Sequence, residues 1–274
     1  FAKPRTNDFE LRQSQKLPIF RGEAVNSQEF CFKKRESDPY RLLLAYNSIK
    51  ESLENINSYK DKVYTSHEGL LLNFEQALTR KDSESYGYYS LSAHMLWIGD
   101  RTCFLNSAHV ELFRGVENPI GLKIGPKADP EQIIKIIKIL NPKNELGKIL
   151  LITRYGQNKV KQKLEVLLNM INDSNLAVIW ICDPMHANSK VLPGGRKTRY
   201  LEDILTELEQ TILVHKENGS MLSGLHLETT PESVTECLNL EERNLSYLND
   251  LKYTSLCDPR LNYKQSLSIC SEFS

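Results

Sequence analysis

The chain has 274 residues, 40% of them hydrophobic and 26% charged, an ordinary soluble globular composition. Lys plus Arg equals Asp plus Glu at 35 each, so bulk charge argues for neither a nucleic-acid partner nor an anionic membrane. The most apolar run, Leu176–Cys182, is too short to span a bilayer, the N-terminal FAKPRTNDFE lacks the apolar core of a signal peptide, and six Cys without paired CxxC spacing do not make a disulfide framework.

A reducing cytoplasmic setting is therefore the expectation. Residue 1 is Phe, which suggests a processed chain or a longer protein extending upstream.

Residues 1–40 show few periodic apolar positions and read as a long loop or extended arm. Asp38-Pro39 opens a helix with Leu42, Tyr46, Ile49 and Leu53 on one face. Val63–Ser66 reads as a short strand leading into a helix over Leu70–Leu78. Ser90–Ile98 and Ile120–Ile124 are the next strands. From there alternation is regular: helix Glu131–Leu140, strand Lys148–Thr153, helix Lys159–Ile171, the apolar strand within Val178–Asn188, helix Leu201–His215 and strand Gly224–Leu227. Six strands alternating with helices imply βα units around a parallel sheet, within a single domain of residues 1–274. Residues 1–60 would form the arm and an insertion helix, and residues 61–274 the βα units.

Polar residues recur at the strand C-termini, the place where parallel α/β folds put their chemistry. They are Glu68, Asp100 with Arg101, Lys123, Arg154, His186 and Glu228. A lone histidine such as His186 is more often a satisfied loop residue than a metal ligand. With Glu228 and Asp258, however, it makes an imidazole-plus-two-carboxylate set suited to Mn, Fe, Co or Zn. Lys3, Arg5, Arg101, Lys123, Arg154 and Lys197 are candidates for holding anions, Arg as a fork and Lys as a point charge. Gly194–Arg199, GGRKTR, reads as a basic loop opening a helix and a possible phosphate cradle. His94 reads as structural, Cys182 and Cys257 as reserve ligands, and Trp97 as a pocket wall or core filler.

Taken together, FAKPR, YSLSAHMLWIGDRT, NPIGLKIGP, ITRYGQNKV, WICDPMHAN, KTR, HLETT, VTEC and CDPRLNYKQSL closely resemble the class II (plant-type) 3-deoxy-D-arabino-heptulosonate 7-phosphate (DAHP) synthases. The resemblance runs from Phe1 to about Leu267. It implies an α/β fold, a (β/α)8 TIM-type barrel of which this chain supplies about six βα units, strands 3–8. It also implies a transferase of the shikimate pathway, condensing phosphoenolpyruvate with erythrose 4-phosphate on a divalent metal, with manganese first and cobalt, iron or zinc as alternatives. His186, Glu228 and Asp258 would be metal ligands. Lys123, Arg154, Arg101, Lys3, Arg5 and Lys197 would hold substrate phosphate and carboxylate groups, and Trp97 and Asp100 would order a water.

The family's Cys ligand and a further substrate-binding Arg would precede FAKPR, on two strands expected upstream of residue 1. The expected partners are the two substrates and either a second copy of the chain or an upstream segment completing the barrel. DPMHAN, HLETT and CLNLEE depart from glycine-containing family patterns, which predicts altered loops near the site. These departures leave open a degenerate homologue that binds a sugar phosphate or a partner, and an active homologue in specialised metabolism.

Overall fold

The computed structural model describes residues 2–12, 15–192, 195–239, 242 and 252–273. The chain divides into two compact units, residues 1–121 and 122–274.

The first unit opens with an antiparallel hairpin, β1 (Phe9–Arg12) and β2 (Gln15–Pro18), where the sequence suggests only an irregular arm. What orders this arm is Arg35, fully buried on the short helix α1 (Phe32–Arg35). Its guanidinium pairs with Glu10 at 2.7 Å and donates to the carbonyls of Glu29 and Gln28 at 2.9 and 3.1 Å. Helix α2 (Tyr40–Asn57) begins where Asp38-Pro39 predicts, with the Asp38 carboxylate accepting from the Tyr40 N–H at 3.0 Å. The expected apolar stripe is present but buries no residue.

Strand β3 (Ser66–Glu68) lies a few residues later than expected and is followed by α3 (Leu72–Ala77), the hairpin β4 (Thr79–Lys81) and β5 (Tyr88–Ser90), and β6 (Met95–Ile98). The single strand expected over Ser90–Ile98 is thus broken in two. Ser90 and Ser92 turn their hydroxyls to the buried Glu75 carboxylate, and the Asn118 amide donates to the Ser90, Ala93 and His94 carbonyls. Side chains there replace the ladder partners a continuous strand would need. β3 and β6 pair in parallel, Glu68 opposite Trp97. Helix α4 (Ala108–Phe113) follows, capped by Ser107.

Strand β7 (Ile120–Ile124) begins in the first unit and ends in the second, and every residue of it is buried. The second unit then alternates as the periodicity predicts: α5 (Pro130–Leu140), β8 (Ile149–Thr153), α6 (Val160–Asp173) and β9 (Ile179–Cys182). Helix α5 starts at Asp129, whose carboxylate accepts from the Glu131 N–H, with Pro130 at the first turn. Its Ile133, Ile136, Ile137 and Leu140 are buried, each contributing about 1.5–3 kcal/mol by removal from water. Two short strands, β10 (Lys190–Val191) and β11 (Lys197–Tyr200), precede α7 (Leu201–Glu217), β12 (Leu222–Leu225), β13 (Cys237–Leu238) and α8 (Tyr263–Phe273).

The parallel strand order in this unit is β7–β8–β9–β12, with a register shift between Leu222 and Gly224. Beside it β11 pairs antiparallel with β10 and parallel with β13. Met185, Ile204, Leu208, Cys237, Leu261 and Ile269 pack as one apolar cluster, joined by Leu222 and Leu225 of β12. Among the described residues, no helix is long and apolar enough to cross a membrane.

Candidate functional site

In the second unit the parallel ladder continues one rung past the strand ends. The Arg154 N–H donates to the Ile124 carbonyl at 2.9 Å, Asp183 N–H to Thr153 at 2.8 Å and His226 N–H to Cys182 at 2.8 Å. These rungs fix the first polar residue after β8, β9 and β12 before any loop begins.

Asp183, fully buried, organises the turn that follows. Its Oδ1 accepts from the Met185 and His186 N–H groups at 3.1 and 3.2 Å, and its Oδ2 lies 2.7 Å from His186 Nδ1. Lys123, buried on β7, donates to the same carboxylate. Burial alone would raise the Asp183 carboxyl, but Lys123 and then His186 hold it well below the usual carboxylate range. With Nδ1 engaged, His186 turns Nε2 toward Glu228, whose Oε1 is 3.5 Å away. Burial disfavours the imidazolium, yet Asp183 and Glu228 together raise the His186 pKa to about 9. Neighbouring His226 goes the other way, to about 4, through burial and the Lys123 charge.

Asp258 arrives from a separate loop. A parallel bridge between Thr229 and Leu261, with the Leu261 N–H on the Glu228 carbonyl at 2.9 Å, ties that loop to the end of β12. His186, Glu228 and Asp258 then each offer a ligand atom within 4.8 Å of the other two. Lys197 Nζ sits 2.7 Å from Asp258 Oδ1 and, after burial's opposing effect, brings that carboxyl down to about 2. Arg154 Nη2 donates to the His186 carbonyl at 3.3 Å. The second unit thus brings together Lys123, Arg154, His186, Lys197, Glu228 and Asp258.

Two buried glutamates hold the loops that carry these residues. Glu207 of α7 accepts from the Tyr155 and Gly156 N–H groups, both at 2.8 Å, and from the Asn188 amide at 2.7 Å. Gly156 has φ +82°, a backbone that only glycine adopts without strain. Glu236 accepts from the N–H groups of Thr254, Ser255 and Arg260 at 3.0, 2.8 and 2.8 Å, and from the Arg260 guanidinium at 2.8 and 3.0 Å.

The remaining predicted residues belong to the first unit. Arg101 reaches the Pro4 carbonyl at 3.4 Å and the Thr6 hydroxyl at 3.3 Å, which places it against the FAKPR segment bearing Lys3 and Arg5. Lys3 is fixed through its N–H to the Arg21 carbonyl at 2.8 Å. Trp97 lies on β6, and Asp100 is exposed in the turn after it. Gly99 sits where a Cβ would lie 2.1 Å from Glu68 Oε1, so the close approach of Glu68 to this turn requires glycine.

His94 is structural, its Nδ1 held by Thr65 at 2.9 and 3.0 Å. Burial pushes the Cys182 thiol well above its ordinary range, so it packs as an inert side chain. Cys257 Sγ lies 3.6 Å from Asp258 Oδ2.

One expectation needs correction. Lys197 and Arg199 stand on strand β11, not in a basic loop opening a helix, because Arg199 and Tyr200 pair with Cys237 and Leu238 of β13. Gly194 lies outside the described residues. Ala187 and Asn239, two of the positions departing from glycine, have no positive φ, so these residues fit their own backbone unstrained. Leu240 lies outside the described residues. Sequence reasoning missed Asp183, Arg199, Glu207 and Glu236. Asp183 had a local signal, an acid three residues before a histidine.

The chain matches the model of the Class-II DAHP synthetase family over residues 1–63 and 53–274. It is 38% identical to the phospho-2-dehydro-3-deoxyheptonate aldolase of Neurospora crassa, covering 98% of this chain and 70% of that protein. To the Streptomyces coelicolor protein of the same name it is 33% identical, covering 98% and 72%. Among solved structures, the phospho-2-dehydro-3-deoxyheptonate aldolase of Francisella tularensis superposes with a TM-score of 0.59 at 15% identity, covering 99% of this chain and 72% of that one. That likeness is one of fold, the α/β TIM-barrel type. The chain belongs to the Class-II DAHP synthetase family.

Proposed function

We propose that this chain condenses phosphoenolpyruvate with erythrose 4-phosphate and water to give DAHP and inorganic phosphate, the first step of the shikimate pathway. The observation that carries the reading is the convergence of His186, Glu228 and Asp258 within 4.8 Å, in a chain 38% identical to the Neurospora crassa aldolase.

One imidazole and two carboxylates fit a divalent ion, and manganese suits this nitrogen-and-oxygen donor set. Asp183 engages Nδ1 and leaves Nε2 facing Glu228, so the neutral imidazole that a ligating histidine must be would present its Nε2 lone pair to such an ion. When bound, the ion would act as a Lewis acid toward the aldehyde carbonyl.

The residues of this chain would bind and orient the reacting groups. Asp183 holds the His186 ring with Nε2 outward. Lys123 and Arg154 carry positive charge at adjacent strand ends, where they would hold the carboxylate and phosphate of phosphoenolpyruvate and stabilise the departing phosphate. Lys197 would complete the phosphate contacts from β11. In the first unit we assign phosphate or carboxylate binding to Lys3, Arg5 and Arg101, and the ordering of a water to Trp97 and Asp100. C3 of phosphoenolpyruvate then bonds to the aldehyde carbon, water adds at C2, and the C2–O bond to phosphate breaks. We assign these roles within one barrel domain spanning residues 1–274.

The test is steady-state DAHP formation with Mn²⁺ by the wild-type chain and His186→Ala. The variant is expected to lose at least 1000-fold in kcat, roughly the 4 kcal/mol expected for removing a group that stabilises the transition state. Equal turnover would sink the metal assignment. Binding of both substrates by the wild type with no turnover would favour a sugar-phosphate-binding role instead.

A further inference from the structure

Arg199 lies among the three segments that carry the proposed metal ligands, and its side chain is fully buried. Nη1 donates to Glu228 Oε2 at 2.6 Å and to the Pro259 carbonyl, and Nε donates to the Ser189 hydroxyl at 3.2 Å. Ser189 is three residues after His186, Glu228 is itself a proposed ligand, and Pro259 follows Asp258. One planar guanidinium therefore touches every segment of the triad.

A buried guanidinium is expensive to desolvate, and hydrophobic residues of similar volume often replace such ion pairs at no loss of stability. Arg199 is not even fully satisfied: its Nη2 is buried without a hydrogen-bond partner among the described residues. Its position follows from what it holds. By occupying Oε2 of Glu228 it leaves Oε1 to face His186 Nε2. The base it works from is rigid, because Arg199 pairs with Cys237 in the β11–β13 ladder and the Thr198 hydroxyl donates to the Glu236 carbonyl at 2.8 Å.

We propose that Arg199 is the positioning residue of the metal site, setting which Glu228 oxygen faces the ion and holding the His186, Glu228 and Asp258 segments at ligand distance. The proposal rests on the metal-site reading above and names the residue that gives that site its geometry. Lysine cannot replace the fork: an ammonium keeps the charge on Glu228 but lacks the planar spread that reaches Ser189 and Pro259 together.

The experiment measures Mn²⁺ affinity of the metal-stripped chain, by the electron paramagnetic resonance signal of free Mn²⁺, for the wild type, Arg199→Lys, Arg199→Met and His186→Ala. Circular dichroism and the thermal midpoint of the metal-free proteins report folding. We expect Arg199→Met to bind Mn²⁺ 10–100-fold more weakly, the usual loss for a partner of a metal ligand, and Arg199→Lys to recover part of that loss. If Arg199→Met does not fold, Arg199→Lys decides, and an affinity within twofold of the wild type overturns the proposal. Loss of fold in both variants overturns it too, because Arg199 would then serve the fold and not the site. His186→Ala separates the two readings. If it binds Mn²⁺ as the wild type does, or the wild type binds none, the metal site itself fails. If His186→Ala loses binding while folded Arg199 variants retain it, only the role of Arg199 falls.

Discussion

Glu207 and Glu236 are both buried, and each gathers the N–H groups of a loop that carries site residues. Glu207 joins the turn after Arg154 to the turn after His186, and all three of its hydrogen-bond donors are neutral. Glu236 fastens the loop of Asp258 and adds a guanidinium, that of Arg260. The difference shows in their ionisation. Burial raises Glu207 to about 7, with its backbone donors only partly offsetting it. For Glu236 burial is outweighed by Arg260 and the loop N–H groups, and the carboxyl is lowered. A buried carboxylate can thus clamp a loop with or without a counter-charge, but the two solutions respond oppositely to pH.

The largest expected effect comes from breaking the compensated clamp. Glu236→Ala removes five hydrogen bonds and leaves three loop N–H groups without their acceptor, so it should destabilise the chain by about 3–5 kcal/mol in all, at about 1–3 kcal/mol for each unsatisfied donor. Urea denaturation measures this, and a loss under about 1 kcal/mol would show that the loop is held by something else.

Next is the uncompensated clamp. With Glu207 at about 7 when folded and near 4.5 when unfolded, the folded chain keeps a proton that the unfolded chain has lost. Its contribution to stability is therefore present below about pH 4.5 and lost as pH rises toward 7, roughly 3 kcal/mol in all. Glu236 has the reverse sign: its contribution is present above its unfolded value and lost as pH falls through its lowered folded value. Glu207→Gln removes the first dependence, so its stability relative to the wild type should rise across pH 4.5–7. Parallel curves for variant and wild type would refute the assignment.

The smallest effect sharpens the same contrast. Gly156→Ala forces a side chain onto φ +82° in the loop held by Glu207, while its Cβ meets Ala187 at an ordinary 3.4 Å. The cost should be about 1 kcal/mol from backbone strain alone, read from the denaturation midpoint. A neutral result would mean that the turn relaxes and Glu207 holds it loosely.

The parts of this molecule that a one-dimensional pattern encodes were legible in the sequence. Ile133, Ile136, Ile137 and Leu140 announce their helix by spacing, and the strand ends at Lys123, Arg154 and His186 stand out because polar residues interrupt apolar runs. Contacts between distant residues were not legible. Nothing in FELR and QKLP marks a hairpin until Arg35 is seen bonded to Glu10. The break after Ser90 depends on Glu75, 15 residues earlier. Arg199 is an unremarkable arginine in KTR until its partners 29 and 60 residues away are known. Helix α2 is the opposite case: its apolar spacing is plain, yet it buries nothing within the described fold.

The extra ladder rungs at Arg154, Asp183 and His226 bear on how such a site tolerates insertion and deletion. Adjacent strands lie about 4.8 Å apart, so residues pinned on the first rung beyond them inherit that interval from the sheet. Residues added downstream of those rungs would lengthen a loop and leave the pinned residues in place. A single residue added inside β7 would reverse the alternation of its side chains and turn Lys123 away from Asp183. Variation in loop length and loss of the charged cluster are therefore separate events in this architecture, set by which side of one hydrogen bond the change falls on.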